Sequence, residues 1–408
     1  MSDQHQKSLM ENPRVTDPEY EIAIAWLSDI QEKIYGALNI DPEKYNGDNV
    51  ISDDTQDYLK NLQKELKLSP EYMDNFYDEL VKMREAVPTK FENPAWYAVL
   101  TDFAGSIEKA LAAQLERSQI KPLFGTVPTG RVNGFAARVP NTRYRVILLE
   151  DGLFGFANLM CKAIAMAFPE KPGEQGGRVS VSTDRREIET VLRTNKEIPA
   201  RFFDALASYL VEGHPNMAEP YIAPRTAMIT ADCLRNSMEA FVVAHEYGHL
   251  VAGHLDDAAD QRKAVADLDV DAISTNHLQE FEADFIGLHA MLSVMNERGY
   301  DLSLSFWGAD AFFGCIDVVE KAVSVLAYGE ERPWAADTHP PTPERRAFLR
   351  AYIAENAKDD AKTNCEAALQ LASHVEFIID SLWSMIHPAL VAMHKDGFRP
   401  TPGWMAVS

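Results

Sequence analysis

The string His245-Glu246-Tyr247-Gly248-His249 sets two histidines four residues apart around a glutamate. Its setting, MEAFVVAHEYGHLVAGH, has the apolar periodicity of a helix. On a helix, positions i and i+4 share one face, so His245 and His249 can aim two imidazoles at one divalent cation. Glu246 then stands beside the cation's open position. There a carboxylate can take a proton from an attacking water and pass it to a leaving amine. That is the chemistry of the HExxH pattern, with zinc as the metal. A chain of this composition would carry the pentapeptide by chance at most about 0.05 times. Two helix-surface histidines without a metal are therefore the competing reading, and a third ligand has to be found.

The segment NHLQEFEADFIGLHA supplies one. Glu280 and Asp284 lie one helical turn apart. Glu280 completes a His₂Glu set, which leaves one position for water and favours one Zn²⁺ per chain over other divalent ions. Asp284, on the same face, can accept the free ring N–H of a ligand histidine, His245 by preference, and so fix its tautomer. Glu282 points to another face and reads as helix surface. It is the rival to Glu280 as ligand.

With these residues in place the chain resembles the gluzincins, and among them the HtpX and CAAX-prenyl-protease type (peptidase family M forty-eight). Three further segments carry the likeness. Val132-Asn133-Gly134-Phe135-Ala136, then a strand ending at Gly152-Leu153, resembles that family's edge strand and Gly-Leu turn. His254 follows His249 by five residues, as it often does in the family. Thr338-His339-Pro340-Pro341-Thr342-Pro343-Glu344-Arg345 resembles its His-Pro…Arg loop. The resemblance covers roughly residues 130–155 and 235–350. It implies a zincin-like catalytic domain in which Asn133, Gly134, Phe135 and Ala136 bind substrate by adding it to the sheet as a strand. It departs from the family at 154–234, where the family has a short connection, and in having no membrane span, so a preference for membrane substrates is not carried over. In the His-Pro loop His339 is a catalytic candidate, donating a hydrogen bond to the oxyanion or gating the open metal position; otherwise it is a structural histidine beside prolines. Arg345 is expected to pair with a carboxylate near the site, either as part of the machinery or as a plain ion pair. His254 and His277 read as structural, His289 as core or surface, and Tyr247 as packing away from the metal.

Helices and strands must position these groups. Residues 1–16 read as a disordered tail. A helix is expected from Asp17-Pro18, with the aspartate as cap and the proline at the first position. Others are expected at Ser52–Leu66, from Ser69, and from Asn93-Pro94 to about Gln119, giving an N-terminal helical domain over 17–120. Residues 123–150 read as two or three short strands with turns at Pro128-Thr129-Gly130 and Pro140-Asn141. A helix follows Gly152. The catalytic domain spans 121–358 with an insertion at about 154–234. Helices are expected over 235–253, 276–298, 306–328 and 344–357, and a C-terminal helical segment occupies 359–408. The fold class is α+β, mostly α, with a small sheet and an active-site helix pair.

Composition sets the outer limits. Of 408 residues, 46% are hydrophobic and 25% charged, so the chain can bury a large core. A net charge of −23 disfavours nucleic acid and anionic lipid as partners. The aspartates between the two ligand segments (Asp256, Asp257, Asp260, Asp267, Asp269 and Asp271) read as a solvated acidic loop, with a lid attracting basic peptide as the alternative. Cys161, Cys233, Cys315 and Cys365 are widely spaced, which suits buried thiols in a reducing compartment. The polar start MSDQHQKSLMENPR has no apolar core, so no signal peptide is expected. The most apolar stretch, 146–168, is too polar to cross a membrane. The expectation is a cytoplasmic zinc endopeptidase acting on protein or peptide, open or held latent. The rival is a catalytically silent, zinc-stabilised protein working through its helical domain.

Overall fold

The computed structural model describes residues 17–43, 45, 59–64, 69–71, 73, 75, 82, 87–171, 180–255, 263–265, 268–270, 277–333 and 340–401. The expected tail at 1–16 and most of the expected helices between residues 52 and 86 lie outside them. The fold is mostly α with a small sheet, as the patterns predict.

Helix α1 (Pro18–Ala37) starts where expected, with the Asp17 carboxylate accepting from the Glu19 N–H. Helix α2 (Pro94–Ala110) is capped by Asn93 and stops at Leu111; a short α3 (Ala112–Ser118) follows, so the single helix expected to Gln119 is broken in two. Strands β1 (Lys121–Val127), β2 (Gly134–Arg138) and β3 (Tyr144–Glu150) form one sheet in the order β1-β3-β2, with β1 parallel and β2 antiparallel to β3. Asn141, in the left-handed region, turns the β2–β3 hairpin.

Every residue of β3 is buried, because both sheet faces are covered. Alternate side chains therefore enter different cores. Val146 and Leu148, with Phe135, pack under Leu27, Ile30 and Ile34 of α1. Ile147 and Leu149, with Ala136, join the main core beneath the helices. Leu100, Phe103 and Ile107 of α2 belong to that main core as well. Of the helices expected over 17–120, α1 and α2 thus share cores with the sheet and with the helices C-terminal to it.

The described residues of 154–234 are largely helical and part of the same core. Helix α4 (Gly152–Ala165) is buried almost throughout; α5 (Arg185–Thr194) and α6 (Glu197–Ala207) follow. Tyr209, just beyond, stacks near Phe156, and its hydroxyl oxygen accepts from the Val132 N–H. The long α7 (Arg225–Val251) starts ten residues before the expected position. A two-stranded ribbon, β4 (Lys263–Val265) and β5 (Leu268–Val270), precedes α8 (His277–Glu297). Then come α9 (Leu302–Tyr328), α10 (Thr342–Glu355) and α11 (Lys362–Lys395). The helical stretch Asp359–Lys395 is, by length and composition, long and apolar enough to cross a membrane. In this fold Ala372, Val375, Ile379 and Leu382 bury its inner face, and Glu376 pairs with Arg346 and Arg350.

From Ser237 to Leu250, α7 is buried on all sides. It lies so close to α8 that the backbones touch. A Cβ on Gly248 would come 2.7 Å from the Ala283 carbonyl oxygen, and one on Gly287 would come 2.9 Å from the His245 backbone nitrogen. Each helix thus offers a glycine to the other's main chain. Intrinsic helix propensity favours Gly287→Ala by about 1 kcal/mol. The contact predicts the opposite sign. Gly287→Ala should destabilise the fold by about 1–3 kcal/mol through overpacking, read as a lower midpoint in urea unfolding. A variant as stable as the parent or more so would contradict this close approach.

Candidate active site

His245 and His249 project from the same face of α7, and Glu280 and Asp284 from the first two turns of α8. The close packing of the helices sets His245 Nε2 3.1 Å from His249 Nε2. The Glu280 carboxylate lies 3.6 Å from the first ring and 3.5 Å from the second. A tetrahedral ion that binds nitrogen and oxygen at about 2.0–2.2 Å spaces its ligands about 3.3–3.6 Å apart. The three donors form a group that could hold a metal ion; both Glu280 distances fall in that range, the histidine pair lies slightly closer, and the donor types suit Zn²⁺.

The protons support the same reading. His245 Nδ1 lies 2.9 Å from Asp284 Oδ1. A carboxylate only accepts, so Nδ1 carries a ring proton and Nε2 is the nitrogen that faces the site. Burial opposes a charge on His245, but the hydrogen bond and charge of Asp284 outweigh it and hold the imidazole pKa above its ordinary value. Burial, and then the neighbouring His245, push His249 well below the ordinary value, so it stays neutral. Two ring nitrogens and a carboxylate therefore converge on a point that only a cation, a proton or a metal ion, can occupy favourably.

Arg345 from α10 balances the carboxylates. Its Nε and Nη2 donate to Asp284 at 2.7 Å each, and Nη2 lies 3.3 Å from Glu280. Phe313 faces the guanidinium at 4.9 Å. Burial works against ionisation of Asp284, but Arg345 and His245 outweigh it and hold its carboxyl below the usual carboxylate range. The carboxylate partner expected for Arg345 is thus Asp284, the residue that also touches His245.

A cleft opens over this cluster, walled by residues 132–136, Phe241, Val242, Leu255 and Phe312. Glu246 lines it. A Cβ on Gly134 would fall 3.3 Å from Glu246 Oε1 and 2.4 Å from Leu149 Cδ2, so the carboxylate lies close against the strand at this glycine. Strand β2 is the edge of its sheet. The Glu150 N–H donates to the Asn133 carbonyl and the Val139 N–H to the Tyr144 carbonyl. Antiparallel alternation then turns the main-chain groups of Asn133, Phe135 and Ala137 toward β3, and those of Gly134 and Ala136 toward the open edge. The Phe135 ring packs in the α1 core, so Phe135 lines the cleft without offering its side chain for recognition.

Other expected residues fall elsewhere. His339 lies outside the described residues, as do Asp256, Asp257, Asp260, Asp267 and Asp271. Tyr247 points away from the cluster, as expected, and its hydroxyl donates to Glu108 of α2 at 2.7 Å. His289 meets Phe285 and Tyr352 edge to face on the outer side of α8. His277 is exposed where α8 begins. Two residues read as structural or surface do reach the site: His254 contacts His249, and Glu282 contacts His254. One signal for them stood in the sequence. Gly253 just past the helix marks a reversal of the chain, which turns a following residue back toward the last turn.

No family model, curated protein or solved structure matches the chain.

The geometry predicts two outcomes. Protein purified without added metal should carry about one zinc per chain by elemental analysis, and Glu280→Ala should carry none. Arg345→Met should cost about 3–5 kcal/mol in denaturant unfolding, because it strands two buried carboxylates. A loss under about 1 kcal/mol would show that Arg345 is not what compensates them.

Proposed function

We propose that the chain is a zinc-dependent endopeptidase of the gluzincin type, similar to the HtpX and CAAX-prenyl-protease family. One observation carries the reading: a His₂Glu donor set with ion-sized spacing lies beside the carboxylate of Glu246, under an open strand edge. His245, His249 and Glu280 would hold the metal. Zn²⁺ there would supply Lewis-acid polarisation of a scissile carbonyl and lower the pKa of the attacking water.

The chain's own groups do the rest. Glu246 takes the proton of the attacking water and delivers it to the leaving amine. Asp284 keeps the His245 Nε2 lone pair directed inward, and Arg345 holds Asp284 ionised. The outward N–H and C=O groups of Gly134 and Ala136 pair with an extended substrate, which aligns a peptide backbone across the cleft without reading its side chains. Phe241 and Phe312 make the cleft's apolar wall. The substrate class is protein or peptide. The four cysteines are free thiols, which supports the cytoplasmic placement proposed with this activity.

Glu246→Gln should keep its zinc and its fold while peptide cleavage falls by about 10²–10⁴-fold, measured on an unfolded protein such as casein. Zinc-loaded Glu246→Gln cleaving at the parental rate would sink the mechanism. Ala136→Pro removes an N–H that no described strand of the sheet uses, a substitution that edge strands tolerate. It should leave zinc content unchanged and raise KM. An unchanged KM in folded, zinc-loaded protein would remove strand addition from the account.

A further inference from the structure

The end of α7 holds an arrangement that the metal ligands alone do not explain. After Val251 the chain passes through Ala252 to Gly253, whose φ of +76° reverses its direction. The His254 N–H then donates to the His249 carbonyl at 3.2 Å. This reversal lays the His254 ring against the His249 ring, Nδ1 to Nδ1 at 2.9 Å. The other ring nitrogen of His254, Nε2, lies 3.1 Å from Glu282 Oε2 on α8. The His254 side chain is 5% exposed, while that of Glu282 is 59% exposed. A buried imidazole thus spans the gap between a ligand histidine and a carboxylate at the rim.

For a neutral His254 ring, the direction of each hydrogen bond in this chain follows from its carboxylate end. A carboxylate only accepts, so His254 Nε2 carries the hydrogen toward Glu282. A neutral imidazole has one N–H, so His254 Nδ1 is left as an acceptor. The hydrogen in the 2.9 Å contact must then come from His249 Nδ1. That leaves His249 Nε2 bare, and it is this nitrogen that faces His245 Nε2 and Glu280. A histidine that binds metal through Nε2 needs this tautomer, and the partner of its other nitrogen decides which tautomer it has. His254 cannot bind the same ion, because its Nδ1 meets the side of the His249 ring that faces away from the donor group.

We infer that His254 is a positioning residue of the candidate zinc site: with Glu282 it forms a two-step relay that fixes the tautomer and ring orientation of His249. The relay rests on the metal-site reading proposed for His245, His249 and Glu280. It also pairs the two ligand histidines. His245 is oriented directly by Asp284; His249, one turn further along α7, is oriented by Glu282 through an intervening ring. Both carboxylates come from the helix that carries Glu280, so α8 supplies a ligand and both orienting charges. Glu282 is thus the outer end of the relay and not a rival ligand.

The test compares full-length parent, His254→Leu, His254→Gln and Glu282→Leu. Zinc affinity is measured by competition with a chromophoric chelator. The His249 tautomer is read by ¹⁵N-edited NMR of metal-free, ¹⁵N-histidine-labelled protein. His254→Leu should weaken zinc binding about 10–100-fold and release His249 from its Nδ1–H tautomer. His254→Gln, whose side-chain carbonyl can accept from Nδ1, should recover most of both. Glu282→Leu, at an exposed position where folding is not at risk, should weaken zinc binding less and free the tautomer of His254; it carries the test alone if His254→Leu fails to fold. Folded His254→Leu and Glu282→Leu with parental zinc affinity and an unchanged His249 tautomer would overturn the relay and leave the metal site standing. Parent protein that takes up no zinc, yet shows the Nδ1–H tautomer of His249 and loses it in His254→Leu, would sink the metal reading while upholding the relay.

Discussion

The backbone contact between α7 and α8 governs the site. Gly248 faces the Ala283 main chain, and Gly287 faces the main chain at His245. A Cβ at either place would overlap the facing main chain and push the helices apart. With the glycines, Glu280 comes within 3.6 Å of both imidazole nitrogens, and Asp284 within 2.9 Å of the back of the first. The donor atoms come from two helices, so the separation of those helices sets the size of whatever ion they hold.

Burying polar groups at this contact is costly unless each has a partner. The partners arrive from outside the helix pair. Arg345 comes from α10, and its fork spans both oxygens of Asp284. His254 comes from the reversal after α7. Glu108 of α2 takes the Tyr247 hydroxyl, which ties the N-terminal helices to the histidine-bearing segment from behind. The cluster is thus a junction of several elements, and its carboxylates are compensated by hydrogen bonds as well as by charge.

The sheet contributes a rim. Its edge strand is held from three sides: by β3 in the ladder, by α1 through Phe135, and by Tyr209 through the Val132 N–H. Gln31 of α1 also donates to Glu92 and to the Thr126 carbonyl at the end of β1. Segments far apart in the chain therefore fix one strand beside Glu246. That shared support is why the described residues of 17–120 and 154–234 are integral to the fold and not appendages to it.

The mostly helical class, the cap at Asp17, the hairpin at Pro140-Asn141 and the face shared by His245 and His249 were all legible in the sequence. So was the choice of Glu280 and Asp284 over Glu282 for the inward face of the second helix. Each depends on local spacing, and an α-helix converts spacing into direction whatever surrounds it. The early start of α7 at Arg225 was not legible, because the residues buried in its first turns, Thr226, Ala227, Thr230 and Ala231, are small or polar and mark no apolar face. Nor were the partner of Arg345, the shared cores of α1 and α2, and the link from Glu282 through His254 to His249. These are contacts between elements far apart in the chain. Which residues meet across such distances depends on how closely helices pack, and only the tertiary structure, through two glycines and the reversal at Gly253, decided that.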